Sequence, residues 1–114
     1  MDEFQLINRF FRRPTLTGRV KVGIGDDGAV VTTRGDQDLV VVTDTLVEGV
    51  HFFNDVAPAD LGHKVLAVNL SDLAAMGAEP DWVLLNLVLP SADSKWLEEL
   101  SIGFFSLADR YNIT

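Results

Sequence analysis

Apolar residues recur at helical spacing in three stretches of the chain, with alternating or continuous apolar runs between them. Phe4, Leu6, Ile7, Phe10 and Phe11 predict a short amphipathic N-terminal helix that stops before Pro14. Arg9, Arg12 and Arg13 lie near its C-terminal end, where positive charge complements the helix dipole. Val20, Val22 and Ile24 alternate with Lys21 and Gly23, the pattern of a half-buried strand. Gly25-Asp26-Asp27-Gly28 interrupts it, Ala29 to Thr33 resumes extended character, and Arg34 to Asp38 is a turn cluster. Leu39 to Val42 is a continuous apolar run rich in β-branched residues and predicts an interior strand.

The second helix starts near Pro58 or Ala59, because proline is tolerated in the first turn and Asp60 there complements the dipole. Leu61, Val65, Leu66, Val68, Leu73 and Met76 give it broad apolar coverage, and Gly77 is its predicted C-cap. Ala78 to Asp81 turns the chain. Trp82 to Leu89 then predicts a strand closed by Pro90. Asp93 or Ser94 caps a last helix over Lys95 to Tyr111, with Trp96, Leu97, Leu100, Phe104, Leu107 and Ala108 as its apolar stripe. Helix, strands, helix, strand and helix follow one another without an internal repeat. Asn112 to Thr114 resembles the approach to a further strand, so the expectation is one domain over 1–114 that stops before its last strand.

Composition narrows the function classes. The chain has 114 residues, 47% of them hydrophobic, enough for one domain with a modest core. Its 9 basic and 17 acidic residues leave a net charge of -8, which argues against nucleic acid or an anionic membrane as the main partner. A phosphorylated ligand would then need cations to offset like-charge repulsion. There is no cysteine, so disulfides and thiolate metal sites are excluded. No basic-then-apolar leader opens the chain and no apolar run is long enough to cross a bilayer, so a cytoplasmic protein is expected.

Three acidic motifs carry the candidate chemistry: Gly25-Asp26-Asp27, Thr43-Asp44-Thr45 and Asn69-Leu70-Ser71-Asp72. Convergent carboxylates need a cation or a proton between them, and hard oxygen donors suit magnesium. Each motif also has a plainer reading. Asp26 and Asp27 sit in a glycine-flanked turn, where solvated aspartates are common. Asp44 ends a strand, a place where ligand groups and ordinary turn formers both occur. Asp72 lies in a helix with apolar surroundings and wants a cation, an arginine or a cluster of donors; Lys64, two turns earlier, is a candidate partner. Asn69 shares its face. His51, near Glu48, is either a surface residue or a donor to a substrate phosphate, and His63 reads as a helix surface residue. Neither histidine has zinc-ligand spacing, and neither a P-loop nor a Gly-x-Gly-x-x-Gly fingerprint occurs.

The stretches Gly23 to Val31, Thr43 to Phe52 and Ala59 to Ala78, taken in order, resemble the thiamine-monophosphate kinases. That family belongs to the superfamily that includes aminoimidazole ribonucleotide synthetase and selenophosphate synthetase, and the likeness extends over essentially the whole chain. The resemblance implies an α/β fold: the superfamily's N-terminal ATP-binding domain, with a mixed sheet and helices packed on one side. It implies transfer of a phosphoryl group from ATP to thiamine monophosphate with magnesium, in a homodimer whose sheets pair across the twofold axis. By similarity, Asp27, Thr43, Asp44 and Asp72 hold metal, His51 faces thiamine monophosphate, and Asp26 and Asn69 play supporting parts. No catalytic side chain is implied, because the acceptor phosphate is itself the nucleophile. Val42 departs from relatives that carry serine or threonine there, which leaves only a backbone carbonyl at that position. A C-terminal domain and a Gly-Gly-Asp motif complete the family's enzymes, so the 114-residue piece by itself is expected to be inactive. The competing readings are a superfamily enzyme with another acceptor and a non-catalytic dimerisation or nucleotide-binding module.

Overall fold

A computed structural model describes residues 1–114. Helix α1 (Glu3–Leu6) runs into a wider, π-helical stretch over Ile7–Phe11. Its start is fixed by a capping box: Gln5 N–H donates to Asp2 Oδ1 (2.8 Å), and Asp2 N–H donates to Gln5 Oε1 (3.0 Å). Phe11 ends buried, and Arg13 lies over the Phe105 ring while its guanidinium pairs with Asp109 at 2.7 Å. These contacts hold the N-terminal segment on the last helix.

Helices α2 (Pro58–Ala75) and α3 (Ser94–Arg110) form the centre of the molecule. Asp93 caps α3 by accepting from Trp96 N–H at 3.0 Å. Both helices end in Schellman turns. Gly77 (φ 69°) donates to Ala74 C=O and Ala78 to Leu73 C=O, whereas Asn112 (φ 53°) and Ile113 close α3 on Asp109 and Ala108. The helices cross where both lack side chains. A Cβ on Gly62 would lie 2.9 Å from Phe104 N, and one on Gly103 would lie 2.7 Å from Ala59 C. Two buried clusters flank this crossing: Leu66, Phe104, Leu107, Ala108 and Ile113 on one side, Phe11, Leu61, Leu97 and Leu100 on the other.

The strands differ from the sequence expectation. Only a short antiparallel hairpin forms, β1 (Val20–Val22) with β2 (Val30–Val31), pairing Val20 with Val31 and Val22 with Val30. Leu39 to Val42 and Trp82 to Leu89 are extended but have no ladder of their own. Strand geometry survives in their side chains, because Leu85, Leu87 and Leu89 pack toward the helices while Leu84 and Val88 point outward, 74% and 93% exposed. Leu39 to Val42 is therefore not an interior strand: Val40 and Val42 are half-buried, but Val41 is 67% exposed. A β-branched run states a preference for extended backbone, but the neighbours that cover it come from elsewhere. Thr114 N–H donates to Asp81 C=O (3.0 Å) and Val83 N–H to Thr114 C=O (2.9 Å), the slanted pattern of parallel neighbours around Trp82. Arg19 ties the hairpin to this segment through a 2.8 Å pair with Asp81.

Only 11 of 114 residues are buried, which leaves the outer apolar face of the extended segments uncovered. The radius of gyration, 14.6 Å, exceeds the ~13 Å of a compact domain this long.

Candidate functional site

The first acidic motif occupies the loop of the β1–β2 hairpin. Gly25 has φ 106°, a conformation that disfavours any side chain, and the Arg12 guanidinium lies against it. A Cβ on Gly25 would come 3.2 Å from Arg12 Cζ. Arg12 is held in turn by Asn8 Oδ1 at 2.6 Å, so a cation sits beside the acidic loop. Asp26 Oδ1 accepts from Asp27 N–H (2.8 Å), a local turn bond that leaves the Asp27 carboxylate exposed to solvent.

The second motif follows the extended Leu39 to Val42 segment. Asp44 Oδ1 accepts from Thr45 N–H at 3.1 Å, and both Thr43 and Asp44 are exposed. A tight turn comes next. His51 N–H (2.9 Å) and Val50 N–H (3.1 Å) both donate to Val47 C=O, and Gly49 N–H donates to Phe52 C=O at 2.7 Å. Val47 N–H donates to His51 Nδ1 at 2.8 Å, so Nδ1 is an acceptor and the neutral ring carries its proton on Nε2.

The third motif lies on α2. Asn69 is half-buried, and its Nδ2 bonds back to Val65 C=O at 2.9 Å. Asp72 is exposed rather than enclosed, and Lys64 does not pair with it. Lys64 Nζ instead donates to His51 C=O. Asp72 falls in the last turn of α2, at the negative end of the dipole, with no basic residue there to offset it. A carboxylate in that position is stabilised by a cation brought from outside the helix.

The candidate residues thus come from the hairpin loop, the segment after Val42, the His51 turn and α2. No group of three or more histidine, aspartate or glutamate side chains is gathered into a metal-holding cluster. The donor chemistry nevertheless suits magnesium, since Asp27, Asp44 and Asp72 offer carboxylate oxygens, Thr43 offers a hydroxyl, and none of the three carboxylates is tied up in an ion pair. A groove of about 440 Å³ between α2 and the end of α3, lined by His63, Ala67, Leu70, Ser71, Leu107 and Arg110 among others, includes none of the candidate residues. Sequence reasoning missed the Lys64–His51 contact and the placement of Arg12. For Arg12 a signal existed, because Asn8 precedes it by four residues on a helix. For Lys64 none did, because its partner is a backbone carbonyl.

A hairpin with a glycine-bounded acidic loop, a Thr-Asp segment and a long Asn/Asp-bearing helix define the class. The description "AIR synthase related protein, N-terminal domain" matches residues 25–114, and the chain belongs to that family, with its α/β fold. Within it, the chain is similar to thiamine-monophosphate kinases. It is 51% identical to that of Escherichia coli (strain K12) over 112 residues, 97% of this chain and 34% of the relative. It is 45% identical to that of Buchnera aphidicola subsp. Acyrthosiphon pisum over 112 residues, 97% of this chain and 35% of the relative. The crystal structure of thiamine-monophosphate kinase from Stenotrophomonas maltophilia K279a superposes with a TM-score of 0.84 at 48% identity, covering all of this chain and 36% of that one. The chain thus spans about a third of the length of these relatives.

Proposed function

We propose that this chain is the nucleotide- and magnesium-binding part of a kinase that converts thiamine monophosphate to thiamine diphosphate at the expense of ATP. The observation that carries the reading is likeness over 97% of the chain to a thiamine-monophosphate kinase, at 51% identity, in a chain that presents three unpaired carboxylates from three separate segments. In this reading Asp27, Thr43, Asp44 and Asp72 hold magnesium, while Asp26 and Asn69 orient the neighbouring backbone and ligands. Bound magnesium supplies the positive charge that lets two phosphorylated anions lie side by side. His51 offers its Nε2–H to an oxygen of the acceptor phosphate. That phosphate is ionised at neutral pH and attacks without a general base, so the protein contributes alignment and charge placement.

The same proposal includes a homodimer. Val41, Leu84 and Val88 are exposed apolar side chains on segments whose backbone lacks a strand ladder, and a second copy laid against those segments would cover both. A cytoplasmic site of action follows from the need for ATP and magnesium; no helix of the chain is long and apolar enough to cross a membrane. The test is ATP-dependent formation of thiamine diphosphate by the full-length protein. Turnover with thiamine monophosphate supports the reading. Turnover with a different acceptor only, or binding of magnesium-ATP without turnover, replaces it with one of the alternatives.

A further inference from the structure

The His51 turn is linked to α2 by a contact that no acidic motif contains. Lys64 Nζ, on the second turn of α2, donates to His51 C=O, and the side chain of the same histidine receives Val47 N–H on Nδ1 at 2.8 Å. Five residues of chain, Val47 to His51, are closed on themselves by Val50 N–H and His51 N–H, both donating to Val47 C=O. The turn is thus internally rigid, yet it is exposed on its outer side, where Val50 and Phe53 are open to solvent. A closed turn with few packing contacts can rock as a unit. Leu46 and Phe52, on either side of the turn, pack against the cluster around Leu61 and fix where it sits, and Lys64 adds a polar link to the helix that also carries Asn69 and Asp72, which fixes how His51 is aimed.

We infer that Lys64 is a positioning residue for His51: it anchors the His51 turn to α2 so that the imidazole is held as an Nε2–H donor facing the acceptor phosphate. This role rests on the kinase reading above for what the donor meets, but not for the state of the ring. Two features separate it from a general structural part for Lys64. The contact is to the backbone of the turn, so removing the ammonium frees the turn without removing the imidazole. The tautomer is set inside the turn by Val47 N–H, so a freed turn carries the ring with its Nε2–H unchanged and loses only its aim. Lysine is also suited to the task in shape, because a long flexible stem lets the ammonium reach a carbonyl outside its own helix.

The test uses the full-length protein, with Lys64→Met keeping the stem, Lys64→Arg keeping a donor, His51→Ala, and the double variant. Loss of one solvent-exposed hydrogen bond predicts a KM for thiamine monophosphate raised about 3- to 10-fold in Lys64→Met. KM for ATP is expected to stay at the wild-type value, and Lys64→Arg to recover most of the loss. In the His51→Ala background the Lys64→Met change should add nothing further, since there is no ring left to position. Amide nitrogen relaxation over Val47 to Phe52 should report greater motion of the turn in Lys64→Met than in the wild type, and recover in Lys64→Arg. Equal changes in both KM values, no change in either, an undiminished effect without the imidazole, or unaltered relaxation over the turn in Lys64→Met would each overturn the role. A wild-type protein without kinase activity would refute the kinase reading instead, and the relaxation data would then decide whether Lys64 anchors the turn.

Discussion

The close crossing of α2 and α3 can be probed at Gly62. An alanine Cβ there would sit 2.9 Å from Phe104 N and 3.0 Å from Leu100 C, inside contact distance of the backbone of α3. The Leu100 carbonyl oxygen lies closer still, and backbone atoms cannot swing aside as a long side chain can, so the helices must separate by roughly 1 Å. Two effects oppose each other. Alanine in a helix interior is favoured over glycine by about 1 kcal/mol. Forcing a methyl group into a close-packed contact costs about 1–3 kcal/mol. Separation also loosens Leu61, Leu66, Leu97 and Leu100, which are buried on either side of the crossing. The cost therefore wins, and Gly62→Ala should lose about 1–2 kcal/mol net. Gly18→Ala is the control, because nothing lies within 4 Å of the added atom. Thermal unfolding and hydrogen exchange of α2 and α3 amides in the full-length protein read the difference. An unchanged or raised midpoint for Gly62→Ala, with unchanged exchange, would show that the helices do not meet at these glycines.

Three further outcomes follow from local structure. Asp93→Ala removes the side-chain acceptor from Trp96 N–H and should destabilise the start of α3 by about 1 kcal/mol, seen as faster amide exchange over its first turn. Val88→Lys places a charge on a side chain that is 93% exposed, so it should leave the fold intact and, in the proposed homodimer, shift sedimentation toward monomer; sedimentation unchanged from the wild type would remove this face from the proposed interface. Asp44→Asn keeps the shape of the side chain and the Thr45 N–H bond but removes the charge, and should weaken magnesium-dependent nucleotide binding; an unchanged magnesium titration would remove Asp44 from the site.

The helices were legible in the sequence because their signals are local. Pro58 marks the start of α2, Gly77 stops it, and Asp93 caps α3, each acting within a turn or so of its own position. The strands were legible only as extended backbone. Val40 and Val42 alternate with exposed neighbours as strand residues do, but pairing depends on segments distant in sequence, and a β-branched run does not say whether one face or two will be covered. The site shows the same division. The motifs named the side chains, and Asp27 lies in the hairpin loop where its flanking glycines put it, with Asp72 on α2 as helical spacing indicated. Whether those carboxylates converge depends on the relative placement of three segments and on cations, neither of which has a sequence signature. Asp72 was expected to be enclosed because its helix is rich in apolar residues, yet the apolar stripe faces α3 and leaves the carboxylate in water.

The central claim is that aspartates from three separate segments share magnesium beside the nucleotide phosphates. A crystal structure of the full-length protein with magnesium and a non-hydrolysable ATP analogue tests it most directly. Oxygens of Asp27, Asp44 and Asp72 should then lie at about 2.0–2.1 Å from magnesium ions bridging the phosphates. Nucleotide bound with all three carboxylates still turned to solvent, away from any ion, would contradict it.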